Sequence, residues 1–119
     1  MSFSDSKGAV GVVEAVQVQL KKGVLELCVL ALLSRADAYG YEIASRLAGG
    51  VEMGEGTIYP LMRRMQADRL VDTYLVESAS GPSRKYYRMT PTGAARFEAQ
   101  KSEWTAFSSA VNAILGGAQ

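Results

Sequence analysis

The chain has 119 residues, a formal net charge of +1, no histidine and one cysteine, Cys28. This length suits one domain, and a content of 48 % hydrophobic and 21 % charged residues excludes a disordered chain or a fibrous coiled coil. The lack of histidine excludes Ser–His–Asp triads, Cys–His pairs and most zinc sites, and a lone cysteine excludes an intrachain disulfide. We also find no paired carboxylates at suggestive spacing and no glycine-rich phosphate loop, so we predict that the protein is not an enzyme and uses no metal or other cofactor.

The N-terminal part shows no targeting signal, and the longest apolar run, residues 24–33, is well short of the ~20 residues that a membrane span needs. We therefore expect a cytoplasmic protein with no membrane partner. The first eight residues are small and polar and predict a flexible lead. The valines of residues 9–20 fit either a strand or a helix, and we favour the helix.

Two helices are predicted next. Residues 20–33 are apolar almost all round, so this helix must be covered on most sides. Residues 39–47 predict a second helix, ended by the glycines at 49 and 50. The side chains expected to face inward from the second helix are Tyr41, Ile43, Ala44 and Leu47.

A third helix is expected to start near residues 56–57, with Thr57 as its N-cap and Pro60 at the third helical position. Helical spacing puts one apolar set on the buried face: Ile58, Leu61, Met62 and Met65. The opposite face carries Tyr59, Arg63 and Gln66, flanked by Arg64.

A β-hairpin follows. Residues 70–77 and 84–89 predict two strands, and the turn-forming stretch 78–83, with its Gly81-Pro82 pair, predicts a six-residue connection. Of Tyr86 and Tyr87, we expect one to be packed and one exposed.

The last predicted helix opens with Thr90 as N-cap and Pro91 at the first position, and it runs to about residue 115. Its apolar residues recur in two sets seven apart, with Gln100 in one of the intervening slots: Phe97, Trp104 and Val111, then Phe107 and Ile114. This is the seam of a helix that packs against another helix. So long a seam on so small a domain needs another surface to pack against, and these five residues are the candidate interface.

Three helices followed by a hairpin are the outline of a winged helix-turn-helix, so the predicted fold class is mainly α with a two-stranded β-hairpin and a long C-terminal dimerisation helix. The corresponding parts are an extension (1–19), a DNA-binding domain (20–90) and the last helix (91–119). In such a fold the third helix enters the major groove, and the hairpin, called the wing, touches the DNA backbone or the minor groove. Two copies related by a two-fold axis predict an operator made of inverted half-sites.

The distribution of charge supports DNA as the partner. Six basic and three acidic residues lie between Arg63 and Arg88, so this span carries +3 and the rest of the chain −2. Arginines can bind guanine edges or phosphates, and a helix N-terminus with free N–H groups suits a phosphate. The candidate DNA contacts are Gly56, Thr57, Tyr59, Arg63, Arg64, Arg84, Lys85 and Tyr86. Taken singly, each is equally consistent with an ordinary solvated surface.

The segments LKKGVLELCVLALLSRADAYGYEIASRL, GEGTIYPLMRRMQADRLV and GPSRKYYRMTPTG resemble the PadR family of bacterial transcriptional regulators. The chain is short and has a single C-terminal helix, so it is similar to the small LmrR-like subclass, although its first 19 residues are longer and richer in valine than that family's usual start. The resemblance implies a dimeric repressor whose last helices, together with the first helix, form the interface. It also implies a pocket there for a small aromatic effector, with Trp104 stacking on the ligand beside Phe107.

Two alternatives remain at this point. Trp104 contributes a large apolar area to a dimer seam whether or not a ligand stacks on it. The winged domain could also serve as a protein-interaction module without DNA binding, and that version predicts no salt-dependent affinity for any DNA sequence.

Overall fold

The computed structural model describes residues 24–50 and 55–116, so our predictions for the extension 1–19 lie outside it. Within these residues the order of elements is α1 (Leu25–Arg35), β1 (Ala38–Tyr39), α2 (Gly40–Gly50), α3 (Glu55–Ala67), β2 (Val71–Ser78), β3 (Gly81–Met89) and α4 (Pro91–Ile114). The predicted arrangement of three helices, a hairpin and a long last helix is confirmed. None of the described helices combines the length and the apolar character that crossing a membrane requires.

The core lies where α1, α2, α3 and the inner face of the sheet meet. Its buried residues come from the three helices around it, the sheet and the start of α4: Val29, Leu30, Leu33, Ala38, Ile43, Ala44, Leu47, Ile58, Leu61, Met62, Met65, Leu70, Val71, Tyr87 and Phe97. Fully burying a side chain such as Leu30 or Ile58 contributes about 1.5–3 kcal/mol. Cys28 is partly buried and packs against this core, as a small apolar residue would.

One inward prediction is wrong. Tyr41 is 61 % exposed, whereas Ile43, Ala44 and Leu47 are buried. Because α2 begins at Gly40 and each residue turns the helix by about 100°, Tyr41 points almost opposite to Ile43. Its aromatic character indicated burial, but its position on the helix places it on the surface.

The sheet has three strands in the order β1-β3-β2, so the prediction of a two-stranded hairpin missed an edge strand. The strand β1 is only two residues long, and it pairs antiparallel with β3 through Ala38↔Tyr87 and Tyr39↔Tyr86. A strand of two residues is too short to show the alternation of apolar and polar residues that predicts a strand. Its partner strand also lies far along the chain, so the sequence did not reveal the pairing.

The connection in the hairpin is also shorter than predicted. Ser78 pairs with Gly81, so only two residues separate the strands instead of six. Between the pairs Val76↔Arg84 and Ser78↔Gly81, β3 holds one residue more than β2, which is a bulge. Pro82 is tolerated in β3 because β1 does not extend to this end of the sheet, and a missing N–H on an unpaired side costs no ladder bond.

Helix α3 begins earlier than the sequence predicted. It starts at Glu55, so Thr57 is its third residue and not its N-cap, and Pro60 is the sixth residue and not the third. The Pro60 nitrogen therefore stands where an N–H would have bonded the carbonyl of Gly56, and that carbonyl loses its donor within the helix. The predicted buried face of α3 is confirmed all the same.

The end of α3 and the start of α4 are fastened to each other. Arg69, two residues after the end of α3, has the left-handed conformation, with φ 63°. Its N–H donates to the Gln66 carbonyl, and the Leu70 N–H donates to the Met65 carbonyl, which closes the end of the helix. Thr90 caps α4 as predicted, since its Oγ1 accepts from the Gly93 N–H at 2.9 Å. The same hydroxyl donates to the Arg69 carbonyl at 2.6 Å, and the Thr90 N–H donates to the Leu70 carbonyl at 3.0 Å.

Helix α4 also packs along α1. Glu26 of α1 accepts hydrogen bonds at one oxygen from Arg96 at 3.0 Å and from the amide of Gln100 at 2.8 Å. The Glu26 side chain is only 15 % exposed, so this ion pair is better shielded from solvent than the Asp72–Arg88 pair on the sheet. It fixes the first half of α4 against α1.

Candidate nucleic-acid interface

An open groove of about 360 Å³ lies where the start of α2, the exposed face of α3 and the strand β3 meet. Three cationic side chains from two elements and four tyrosines surround it, together with one glycine: Arg63, Arg84, Lys85, Tyr39, Tyr41, Tyr59, Tyr87 and Gly40. No carboxylate is among these lining residues. The groove therefore attracts anions, and its tyrosine hydroxyls are available as hydrogen-bond donors.

The structure brings together four of the candidate DNA contacts and leaves four outside the groove. Tyr59 and Arg63 on α3 converge with Arg84 and Lys85 on the wing. Gly56 and Thr57 are exposed in the first turn of α3, and Arg64 is exposed on the same helix. Tyr86 lies on the other face of β3.

Gly40 positions Tyr59. A Cβ at Gly40 would stand 2.7 Å from Cε1 of the Tyr59 ring, closer than such atoms approach in proteins. The tyrosine of α3 can therefore lie on α2 only because residue 40 has no side chain. In the sequence, Gly40 was recognised only as part of a motif. Its place between Tyr39 and Tyr41 was the one sign that an aromatic ring could approach its backbone closely.

Tyr87 forms the floor of the groove. The prediction of one packed and one exposed tyrosine holds only in its first part, since Tyr87 is 6 % exposed and Tyr86 is partly buried. Burial raises the pKa of the Tyr87 hydroxyl above the ordinary 10, the charge of Tyr59 raises it further, and nearby Arg63 lowers it. Tyr87 thus stays neutral at physiological pH. The Lys85 ammonium lies 5.9 Å from the centre of the same ring, within cation–π range.

The outer face of the sheet carries a row of three tyrosines. The Tyr86 ring lies 5.5 Å from the Tyr39 ring on β1 and 5.7 Å from the Tyr74 ring on β2, measured between centroids. Arg84 lies over Tyr39 and Arg88 over Tyr74, at 4.6 Å and 5.2 Å from the ring centres. The two arginines differ in their charge environment.

Arg88 is neutralised locally, because its Nε donates to Asp72 at 3.1 Å. This contact, followed by the charge of Asp72, raises the pKa of Arg88 above its ordinary value. Tyr74 is tied in the same way, since its hydroxyl donates to Asp37 at 2.6 Å and this bond raises its pKa. Among the described residues, no ion pair involves Arg63, Arg84 or Lys85. The uncompensated positive charge on the wing is therefore that of Arg84 and Lys85.

The second half of α4 presents an apolar stripe on the surface. Trp104 is 46 % exposed, Phe107 64 % and Ile114 84 %, and Val111 is partly exposed on the same stripe. Phe97, the first residue of the predicted seam, is buried in the core of its own chain. Between α1 and α4, an open cleft of about 250 Å³ is lined by Val24, Leu27, Gln100, Glu103, Trp104 and Phe107.

Comparison with known proteins gives one consistent family. Residues 29–99 match the model of the transcriptional regulator PadR-like family. A PadR-like transcriptional regulator from Bacillus cereus is 42 % identical over 82 % of this chain and 96 % of its own, with a TM-score of 0.75. A PadR family regulator from Eggerthella lenta is 31 % identical over 92 % of this chain and 96 % of its own, with a TM-score of 0.78.

Bacillus subtilis PadR, solved in complex with operator DNA, shares the fold. It is 22 % identical over 63 % of this chain and 44 % of its own length, with a TM-score of 0.58. The family match covers well over half of the chain and agrees with the prediction that the protein is not an enzyme. The LmrR-like subclass stays a prediction. The groove of α2, α3 and the wing thus belongs to a member of the PadR-like family of transcriptional regulators.

Proposed function

We propose that the protein is a dimeric repressor that binds an inverted-repeat operator with α3 in the major groove and its wing on the adjacent backbone. The observation that carries this proposal is the meeting of Arg63 on α3 with Arg84 and Lys85 on the wing around one groove without a lining carboxylate. A major groove admits one α-helix, and cations that flank the helix neutralise phosphates. Relatives with the same fold are described as transcriptional regulators.

Within this proposal the residues of α3 divide by position. Arg63 and Arg64 are exposed on the helix and reach base edges or phosphates, since guanidinium groups suit both. Gly56 and Thr57 lie in the first turn, whose N–H groups have no partner four residues earlier within the helix, and they suit a phosphate. On the wing, Arg84 and Lys85 bind the backbone, and Tyr86 lies on the same face of β3 as Arg84, where it supports the Tyr39 ring under that arginine.

The exposed stripe of α4 supports the dimer. Trp104, Phe107, Val111 and Ile114 lie on one long helix that has no cover over its second half in the described part of the chain. A second copy provides the same stripe in the opposite direction, so the two helices bury each other. In a two-fold dimer the two α3 helices then read half-sites about one turn of DNA apart, or a multiple of that.

We also propose that a small planar aromatic effector relieves operator binding. The cleft beside Trp104 and Phe107 has about 250 Å³, which is below the roughly 300–1,000 Å³ of most ligand sites, so a second copy's α4 would complete it. The two exposed aromatic rings offer stacking surfaces. The effector acts as an inducer only if it binds better to a dimer whose α3 spacing does not fit the operator.

The DNA proposal is tested by selecting duplexes from a random-sequence pool with the full chain and measuring affinity by anisotropy at several salt concentrations. The variant Arg63→Ala/Arg84→Ala removes two arginines from each copy of the dimer, so it should lower the slope of log K against log salt by up to about 3.6, since each lost phosphate contact accounts for about 0.9. Lys101→Ala removes an exposed cation of α4 outside the groove and should leave the slope unchanged. An unchanged slope in the double variant would refute this assignment of the DNA-facing residues, whereas no salt-dependent affinity for any duplex would favour the protein-interaction module instead.

The dimer and the effector need separate tests. Ile114→Asp places a charge on the proposed interface and should give a monomer in sedimentation velocity, whereas Lys101→Asp, on α4 but outside the stripe, should not. For the effector, a panel of planar aromatic compounds should quench Trp104 fluorescence, and a compound that quenches should also weaken operator binding. Quenching without any change in DNA affinity would reject that compound as an inducer.

A further inference from the structure

Arg84 is exposed, but its guanidinium lies over the ring of Tyr39, and we call this contact the seat of Arg84. Its Cζ lies 4.6 Å from the centre of the Tyr39 ring, and the pair stands at the edge of the groove. A free arginine side chain loses much rotamer entropy when it docks on a partner, so a guanidinium that is already seated binds with a smaller loss.

The seat exists because of the short strand β1. The register Tyr39↔Tyr86 puts Tyr39 beside β3, and Arg84 lies two residues from Tyr86 on the same face of that strand. Residues diagonal to each other across two strands are within reach when one is aromatic and the other long. The Tyr39 ring is in turn supported by Tyr86, which stacks on Tyr74.

A second arginine–tyrosine pair on the same face of the sheet differs from the Arg84–Tyr39 pair in its charge. Arg88 also lies over a tyrosine, Tyr74, but it is bound to Asp72 at 3.1 Å and is not part of the groove. Arg84 has no carboxylate partner among the described residues. Both arginines are seated on rings, but only Arg84 combines its seat with free charge and a place in the groove.

We propose that Tyr39 is a positioning residue for DNA binding: its ring holds the Arg84 guanidinium at the edge of the groove, where it meets a backbone phosphate. This inference rests on the function proposed above. The role belongs to the ring and not to its hydroxyl, because a guanidinium is attracted to the face of the ring.

The test is a double-mutant cycle, measured by anisotropy on a fluorescein-labelled duplex selected with the full chain. Tyr39→Leu removes one exposed cation–π contact from each copy of the dimer, so it should weaken binding by about five- to thirtyfold, while Tyr39→Phe should keep the affinity. In an Arg84→Ala background, Tyr39→Leu should have no further effect. Lys101→Ala removes a cation that lies over the Phe97 ring on α4, outside the groove and the tyrosine row, and is the control, expected to leave DNA affinity unchanged.

Three results would overturn the inference: an equal loss from Tyr39→Leu in both backgrounds, a loss from Tyr39→Phe as large as from Tyr39→Leu, or no loss at all. If Arg84→Ala itself changes neither the affinity nor its salt dependence, the wing part of the proposed function fails, which is a separate outcome. If Tyr39→Leu does not fold, NMR of the unmodified protein provides a second test. The Nε–H order parameter of Arg84 should then exceed that of exposed Arg64, and equal values would refute the seat.

Discussion

The methyl group that Gly93→Ala would add has no room at the start of α4. An ideal Cβ at this position would stand 2.1 Å from the Leu70 carbonyl oxygen and 3.0 Å from Cγ of Met89. Because carbon atoms in contact prefer about 3.5–4 Å, the start of α4 must move by about 1 Å or more. That movement strains the bonds of Thr90 to the end of α3, which are 2.6 and 3.0 Å long.

The expected effect is a loss of stability of about 1–3 kcal/mol. Overpacking of this kind costs about 1–3 kcal/mol and a weakened N-cap about 1 kcal/mol, while the better helix propensity of alanine returns up to about 1 kcal/mol. Urea unfolding followed by far-ultraviolet circular dichroism gives the free energy of unfolding. All samples should have the same protein concentration, because the stability of the proposed dimer would depend on it.

Gly49→Ala is the matched control, since a Cβ at this exposed helical position meets nothing within 4 Å. It should leave the protein as stable or raise the free energy of unfolding by up to about 1 kcal/mol. If Gly93→Ala proves as stable as Gly49→Ala, the close packing of α4 on Leu70 is not present in solution and the reasoning is refuted.

Four further results are expected. Gly40→Ala should displace the Tyr59 ring and weaken DNA binding severalfold with little change in stability, while Gly49→Ala in the same helix should leave the affinity unchanged; equal affinities would contradict the close approach. Arg69→Gly should raise the free energy of unfolding by about 0.5–1 kcal/mol, because φ 63° is strained for any side chain, and a loss of stability would count against it. Burial raises the pKa of Cys28, so its thiol should react with a disulfide reagent at pH 8 much more slowly in the folded than in the urea-unfolded protein; equal rates would show that it is accessible. The folded state keeps the Tyr87 proton at a pH where the unfolded chain has lost it, so stability should fall as pH rises above about 10, and Tyr87→Phe should flatten that fall.

The sequence predicted well wherever a pattern repeats within one element. The buried face of α3 follows the helical period over Ile58, Leu61, Met62 and Met65, and all four are buried. The Thr90-Pro91 start of α4 is a local chemical signal, and the structure confirms it. Both depend on neighbouring residues only, so tertiary contacts had little opportunity to change them.

The misses depend on contacts between distant parts of the chain. The strand β1 exists through its pairing with Tyr86 and Tyr87, about fifty residues away, and the exposed side of Tyr41 depends on where α2 begins. The Gly81-Pro82 pair is a strong turn signal, but the bulge in β3 absorbs it inside a strand. The groove itself could not be predicted in full, because three of its tyrosines, Tyr39, Tyr41 and Tyr87, come from β1, α2 and β3 and meet only through the tertiary packing of these elements.

The single residue between β3 and α4 makes the last helix a lever. Thr90 alone separates Met89 from Pro91, and its hydrogen bonds to the end of α3 hold the start of α4 in place. The helix beyond it has 24 residues and so a length of about 36 Å. Because Glu26 also holds the first half of α4 against α1, α4 turns together with the winged domain, and a rotation of both by roughly 5° would move the far end of α4 by about 3 Å. Conversely, a displacement of that size at the far end of α4 would rotate the wing and the rest of the proposed DNA-facing surface by roughly 5°.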